Sequence, residues 1–140
     1  MKRILWTSML ASISLLCSLQ GMAQIALIAN PGVKASSMSK KDVADVFTGR
    51  STVLPGGSQV APVLLKSGAV HEAFLLEFIG KSDATYRQLW RSLVFSGQAD
   101  MPKSLDSDSA VVGFVAHTPG SIGYIGASSP HEGVKVLAIK

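Results

Sequence analysis

The sequence predicts a single-domain α/β protein in which helices flank a mostly parallel or mixed sheet. Short apolar runs typical of buried strands alternate along the chain with longer segments whose apolar residues recur at helical spacing. This alternation is typical of a layered architecture with a sheet between helices. Residues 24–140 are long enough to bury a core of their own, and no repeat, low-complexity tract or linker divides them.

The first half of this region predicts two strands with a helix between them. Residues 25–29 are an apolar run that ends at an Asn-Pro-Gly sequence, which indicates a buried strand followed by a turn. Ser39 can cap a helix over residues 40–47, with Asp42 at the third helical position. After a Pro-Gly-Gly turn, residues 60–65 are apolar enough for a strand that is buried on both faces.

The second half predicts three helices and two strands. Residues 69–79 are apolar almost all round, so we expect a mostly buried helix there. Residues 83–95 form the clearest amphipathic helix, with Tyr86 and Trp90 on the core side and Arg87 on the solvated side. The remaining segments predict a loop, a third helix and two closing strands, over residues 96–103, 106–117, 122–126 and 134–139 in that order.

Residues 1–23 have the features of a signal peptide. Lys2 and Arg3 precede an uncharged, largely apolar run, and a small-x-small sequence ends at Ala23. The run is shorter than the ~20 apolar residues of a membrane-spanning helix, so we expect cleavage after Ala23 and a periplasmic or secreted protein with no membrane span. Cleavage removes Cys17, the one cysteine, and lowers the formal net charge from +4 to +2, because two basic residues leave and all 9 acids stay.

The charge pattern and the histidines argue against several classes of function. Lysine and arginine are spread along the chain with few aromatic residues beside them, so we expect no nucleic-acid binding. His71, His117 and His131 are far apart and lack metal-ligand spacing, so they are interpreted as surface or loop histidines, with no metal or other cofactor. Ser67 and His71 could form a nucleophile and base, but no acid partner or oxyanion hole is evident, and we therefore expect no enzymatic activity.

The sequence Lys66-Ser67-Gly68-Ala69 is the best candidate for a binding site because it lies where a strand ends and a helix begins. Free backbone N–H groups and the dipole at a helix start favour an anion, to which the Ser67 hydroxyl and the Lys66 charge would add. Gly68 would let an oxygen approach the backbone closely, and His71 lies in the first helical turn. The alternative is a purely structural role, since a serine at a helix start is usually a cap.

Three ordered motifs resemble the solute-binding proteins of phosphate-type ABC transporters. Residues 38–50, which end in Phe-Thr-Gly-Arg, are similar to a segment of that family that ends in Phe-x-Gly-Lys. Ser67-Gly68-Ala69 followed by Phe74 resembles the family's Ser-Gly-Thr helix start, and residues 118–125 resemble its Pro-Gly-Ala-Ile-Gly-Tyr element. The resemblance implies one lobe of a type 2 periplasmic-binding fold, with Ser67, Gly68 and Ala69 in the oxyanion site.

The chain departs from that family in ways that bear on ligand binding. Ala69 replaces the family's threonine, and no arginine lies just before Ser67, where Lys66 offers a point charge in place of a bidentate clamp. Family members close two lobes on a ligand, whereas this chain is long enough for one. The resemblance therefore implies a secreted solute-binding-like module that binds phosphate or a similar oxyanion weakly and works with an envelope or transporter partner. The alternative that remains is a ligand-free structural or interaction protein of the cell envelope.

Overall fold

The computed structural model describes residues 24–140, so the predicted signal peptide and Cys17 lie outside the described residues. Within this range the chain folds, as predicted, into a mixed sheet with helices on both faces, and the sheet has six strands. None of the described helices is long and apolar enough to cross a membrane.

The strands are β1 (Ile25–Ala29), β2 (Ser37–Met38), β3 (Ala61–Leu65), β4 (Lys103–Leu105), β5 (Ser121–Gly126) and β6 (Lys135–Ile139). The helices are α1 (Lys40–Phe47), α2 (Ala69–Phe74), α3 (Asp83–Phe95) and α4 (Asp108–His117), and a π-helical segment (Leu75–Ile79) continues α2.

The sheet is mixed because one strand runs against the others. The strand order is β2-β6-β1-β5-β3-β4, and β1 is antiparallel to both of its neighbours, with Leu27 opposite Tyr124 on one side and Leu137 on the other. The pairs β2–β6, β5–β3 and β3–β4 are parallel, so the carboxyl ends of β3, β4 and β5 meet at one edge. In α/β sheets this edge is where ligands bind.

The sequence does not predict the two edge strands, β2 and β4. They have two and three residues, too few for an alternating pattern to stand out. Their hydrogen bonds come from partners distant in sequence, because Ser37 pairs with β6 and Lys103 with β3. For this reason the loop predicted over residues 96–103 is wrong at its last residue, and α4 begins at Asp108, later than predicted.

Helices α2 and α4 cover opposite faces of the sheet at β5. Tyr124 stacks on Phe74 of α2, with ring centroids 3.8 Å apart, whereas a Cβ on Gly123 would lie 2.9 Å from Val111 and 3.4 Å from Val115 of α4. Since successive strand residues point to opposite faces, the two helices lie on opposite sides of the sheet. Glycine at position 123 lets α4 approach the sheet this closely.

Helices α1 and α3 begin and end where the sequence predicts because their signals are local. Ser39 forms a reciprocal capping box with the third residue of α1, and Ser82 caps α3 through its side chain. Tyr86 and Trp90 are buried, as expected for the core side of α3. The Tyr86 hydroxyl donates a hydrogen bond to the Phe47 carbonyl and thereby joins α3 to the end of α1.

Candidate functional site

The turn that connects β3 to α2 consists of Lys66, Ser67 and Gly68, all of which are exposed. The Lys66 N–H donates to the Leu105 carbonyl at 2.9 Å, which ties the start of the turn to β4. Gly68 has a φ of 105°, which residues with a side chain rarely adopt, so the turn favours glycine there. Helix α2 then begins at Ala69 without a side-chain cap, so its first N–H groups remain available to a ligand.

Lys66 forms an ion pair with an acidic side chain. Its Nζ lies 3.2 Å from Oδ1 of Asp106, and the two side chains are 55% and 80% exposed. An exposed ion pair of this kind stabilises by at most about 1 kcal/mol, so Lys66 can turn towards an anion at little cost. Asp106 nevertheless reduces the positive charge beside Ser67.

His71 is buried, with 3% of its surface exposed, so its interpretation as a surface or loop histidine is wrong. Its Nδ1 lies 2.5 Å from the Tyr124 hydroxyl, and its Nε2 lies 2.8 Å from Oδ1 of Asp83. The Leu65 N–H donates to the same Tyr124 oxygen at 3.1 Å. The Tyr124 proton is therefore assigned to the bond with Nδ1, and the Nε2 proton to the bond with Asp83.

These contacts limit the chemistry of the Ser67–His71 pair. Asp83 is an acid partner for His71 that the sequence does not reveal, because it comes from α3. However, Nδ1 faces Tyr124, so both ring nitrogens are engaged and neither is placed to take a proton from the Ser67 hydroxyl. Among residues 24–140, no group of three or more His, Cys, Asp or Glu side chains could hold a metal ion.

Arg87 is the residue near this turn whose role the sequence does not indicate. Its side chain is 51% exposed, but its Nε donates to Oδ2 of Asp83 at 2.8 Å and its Nη2 donates to the Lys66 carbonyl at 2.7 Å. The four-residue spacing of Asp83 and Arg87 on a helix is the one sequence signal for their ion pair. Hydrogen bonds therefore run without a break from the Leu65 N–H through Tyr124, His71, Asp83 and Arg87 to the Lys66 carbonyl. The backbone between Leu65 and Lys66 closes this series into a ring.

The protonation states of Asp83 and Tyr124 fit this ring. Burial alone would raise the pKa of Asp83, but the hydrogen bonds from His71 and Arg87, together with the Arg87 charge, outweigh burial and lower that pKa below its ordinary value. Burial raises the pKa of the Tyr124 hydroxyl far above its ordinary value, and the hydrogen bond from Leu65 opposes this only in part. At neutral pH Asp83 is therefore ionised and accepts hydrogen bonds, while Tyr124 keeps the proton that it donates.

A cavity of about 400 Å³ opens beside the turn, between the ends of β3 and β4 and helix α3. Of the predicted site residues, Lys66 and Ser67 line it directly, and His71 lines it with both ring nitrogens already bonded. Gly68 and Ala69 do not line it and lie at the adjoining start of α2. The apolar side of the cavity is formed by Leu64, Leu65, Tyr86, Trp90 and Met101.

Comparison with known proteins finds similarity among solved structures. No protein-family model matches the sequence, and no curated protein matches it. An ABC-type phosphate transport receptor from Vibrio cholerae matches with a TM-score of 0.64 and 17% identity, over 82% of this chain and 45% of that chain. A protein from Clostridium perfringens, described as a phosphate ABC transporter substrate-binding protein with bound phosphate, matches with a TM-score of 0.63 and 20% identity, over 82% of this chain and 44% of that chain. PstS from Borrelia burgdorferi matches with a TM-score of 0.59 and 21% identity, over 83% of this chain and 47% of that chain.

The match involves most of this chain but only part of each neighbour. The chain spans less than half the length of the structures it matches. At these identities the likeness is one of fold, and function has to be argued from the site. The chain therefore has a periplasmic-binding-protein fold, and it matches less than half of the length of each of these solved structures.

Proposed function

We propose that the protein is a secreted solute-binding module that holds phosphate or a similar oxyanion at the turn between β3 and α2. The observation that carries the proposal is the exposed, uncapped start of α2 at Gly68 and Ala69, beside the Ser67 hydroxyl and the Lys66 ammonium group. Backbone N–H groups at a helix start, a hydroxyl and a cation are the donors that an oxyanion accepts from. Two neighbours named for phosphate transport, one with bound phosphate, support this ligand class.

The proposed binding is weak. The turn offers a few hydrogen bonds to a charged ligand, at about 1.5–3 kcal/mol each, and Lys66 shares its charge with Asp106. Association itself costs several kcal/mol in lost freedom, so we expect a Kd in the millimolar range, equivalent to about −4 kcal/mol. An envelope protein or transporter component that covers the turn would supply further donors.

Secretion is the part of the proposal that rests on the signal peptide read from residues 1–23. We expect the protein in the periplasmic fraction of its cell, with Gln24 as its first residue. Mass spectrometry of the intact protein from that fraction tests this directly. A protein found in the cytoplasm with Met1 and the leader intact would contradict secretion, and it would leave the proposed binding site unaffected.

Calorimetric titration with phosphate, sulfate and molybdate tests the binding site. We expect measurable heat at millimolar anion, and we expect Ser67→Ala and Lys66→Ala each to weaken binding at least tenfold. His117→Ala is the matched control, because His117 is exposed at the end of α4 and bonds only to a carbonyl of its own helix. An unchanged melting temperature and no heat at ten millimolar anion would refute the binding function and leave the structural or interaction role.

A further inference from the structure

We infer that the natural ligand of the proposed site is an organic oxyanion, a phosphate monoester or phosphonate with a compact apolar body. Arg87 binds its anionic head, and its body lies against Trp90 and Met101. The inference rests on the proposed function because it extends the same site into the cavity beside it. It assigns a ligand-binding role to Arg87 and a ligand class to the cavity.

The size of the cavity favours a ligand larger than a bare oxyanion. Its volume of about 400 Å³ falls in the range of roughly 300–1,000 Å³ that is typical of sites for organic ligands. Inorganic phosphate has only five non-hydrogen atoms and would leave most of this space to water. An organic group attached to the phosphate would fill it.

The walls of the cavity are suited to such a group. Leu64, Leu65 and Trp90 are buried residues that form part of its apolar lining. Met101 also lines the cavity, and 57% of its surface is exposed. Methionine is flexible and polarisable, and it adapts to aromatic or aliphatic partners. A compact apolar body would cover surface that is otherwise exposed to water.

The charges beside the cavity also favour a ligand that has an apolar part. Lys66 pairs with Asp106, and Arg87 pairs with Asp83, so these four side chains carry no net charge. A bare dianion gains less from these paired cations than it would from unpaired ones. A ligand that also buries apolar area has a second source of affinity.

Arg87 is placed to bind the head of the ligand. Its Nε and Nη2 are fixed by Asp83 and by the Lys66 carbonyl, and the guanidinium lines the cavity together with Ser67. These two bonds use part of its fork of five N–H donors and leave the others for a ligand oxygen. Asp83 acts as a positioning residue, because it holds the guanidinium at the mouth of the cavity.

Calorimetry on the full chain with three probes tests the inference: phenylphosphonate, inorganic phosphate and benzyl alcohol. We expect phenylphosphonate to bind about tenfold or more tightly than phosphate, a difference equivalent to about 1.4 kcal/mol, and benzyl alcohol to show no binding. Met101→Ser should weaken phenylphosphonate severalfold and leave phosphate unchanged. Leu76→Ser is its matched control, because Leu76 is similarly exposed, at 66%, and lies outside this cavity.

Arg87→Gln should weaken both anions about tenfold, and Arg87→Lys should restore only part of the loss because a lysine lacks the bidentate fork. The control is Arg91→Gln, one helical turn further along α3, exposed and outside the cavity. Circular dichroism melts establish that each variant is folded at the temperature of the titration.

The outcomes separate the two proposals. If phosphate binds with Ser67 dependence but phenylphosphonate binds no more tightly, the inference is overturned and the proposed function stands. If neither Arg87→Gln nor Met101→Ser changes the affinity for phenylphosphonate, the inference is also overturned, because the ligand then lies elsewhere. If neither anion binds, both proposals fail.

Discussion

The Tyr124 hydroxyl joins the hydrogen-bonded ring to the core, and its removal tests how much that ring stabilises the fold. Tyr124→Phe keeps the aromatic ring that stacks on Phe74. It leaves two buried groups without their partner, the Leu65 N–H and Nδ1 of His71. An unsatisfied buried donor or acceptor costs about 1–3 kcal/mol, so with two such groups we expect the free energy of unfolding to fall by about 2–6 kcal/mol. This is a large share of the roughly 5–15 kcal/mol by which domains are stable.

Urea unfolding at pH 7 measures this loss, provided that the m-values of the proteins agree. Tyr86→Phe is the matched control, because Tyr86 is equally buried but donates to a single acceptor, the Phe47 carbonyl. We expect the control to lose about 1–2 kcal/mol. A loss for Tyr124→Phe that is below about 1 kcal/mol, or no larger than that of the control, would refute the description of the Tyr124 hydroxyl as the buried partner of both Leu65 and His71.

Both tyrosines of the chain are buried, and burial raises the pKa of each, so ultraviolet titration of the native protein should detect no phenolate near pH 10. Because only the unfolded chain then ionises, stability should fall above about pH 10 by ~1.4 kcal/mol per pH unit for each tyrosine. The lowered pKa of Asp83 contributes stability above its ordinary value of 3.8 that is lost in more acidic solution, and Asp83→Asn should remove this component from melts recorded between about pH 5 and 2. Gly123→Ala should cost about 1–3 kcal/mol in urea unfolding, because the new Cβ would lie 2.9 Å from a valine of α4. Ala69→Thr adds a hydroxyl donor at the start of α2 and should tighten phosphate severalfold in calorimetry; an unchanged affinity would contradict the placement of the ligand there.

The sequence predicts those parts of the fold whose causes are local. The start of α1 follows from its cap Ser39, α3 follows from its amphipathic pattern, and β3 follows from a continuous apolar run. The direction of β1 does not follow from any local signal, because its register is set by pairing with β5 and β6, about a hundred residues away. An alternation of strands and helices predicts the layers of the fold, but the one reversed strand depends on these distant contacts.

The candidate site also has some features with local causes, which the sequence predicts, and others that depend on distant contacts. The turn at Ser67 and Gly68 is evident from the sequence because a strand end, a glycine and a helix start are contiguous. The burial of His71 is not evident from the sequence, because Glu72 in the same helix is equally polar and yet exposed. Only the neighbours of α2 decide which of these side chains faces the core. The sequence does not predict the role of Arg87 for the same reason, because its bond to the Lys66 carbonyl joins α3 to a turn that is remote in sequence.

The hydrogen-bonded ring has a further consequence for a chain that spans less than half of its structural neighbours. A turn that is held in place before a ligand arrives binds it more tightly, because each group ordered on binding costs affinity. The ring holds the N–H of Leu65 and the carbonyl of Lys66, the two backbone groups that lead into the turn, through side chains of α2, α3 and β5. The exposed donors at Ser67 and Gly68 therefore follow a segment whose backbone is fixed by hydrogen bonds to buried and partly exposed side chains. For the proposed oxyanion site, we expect this support to lower the cost of ordering the turn on binding, with or without a partner surface that covers it.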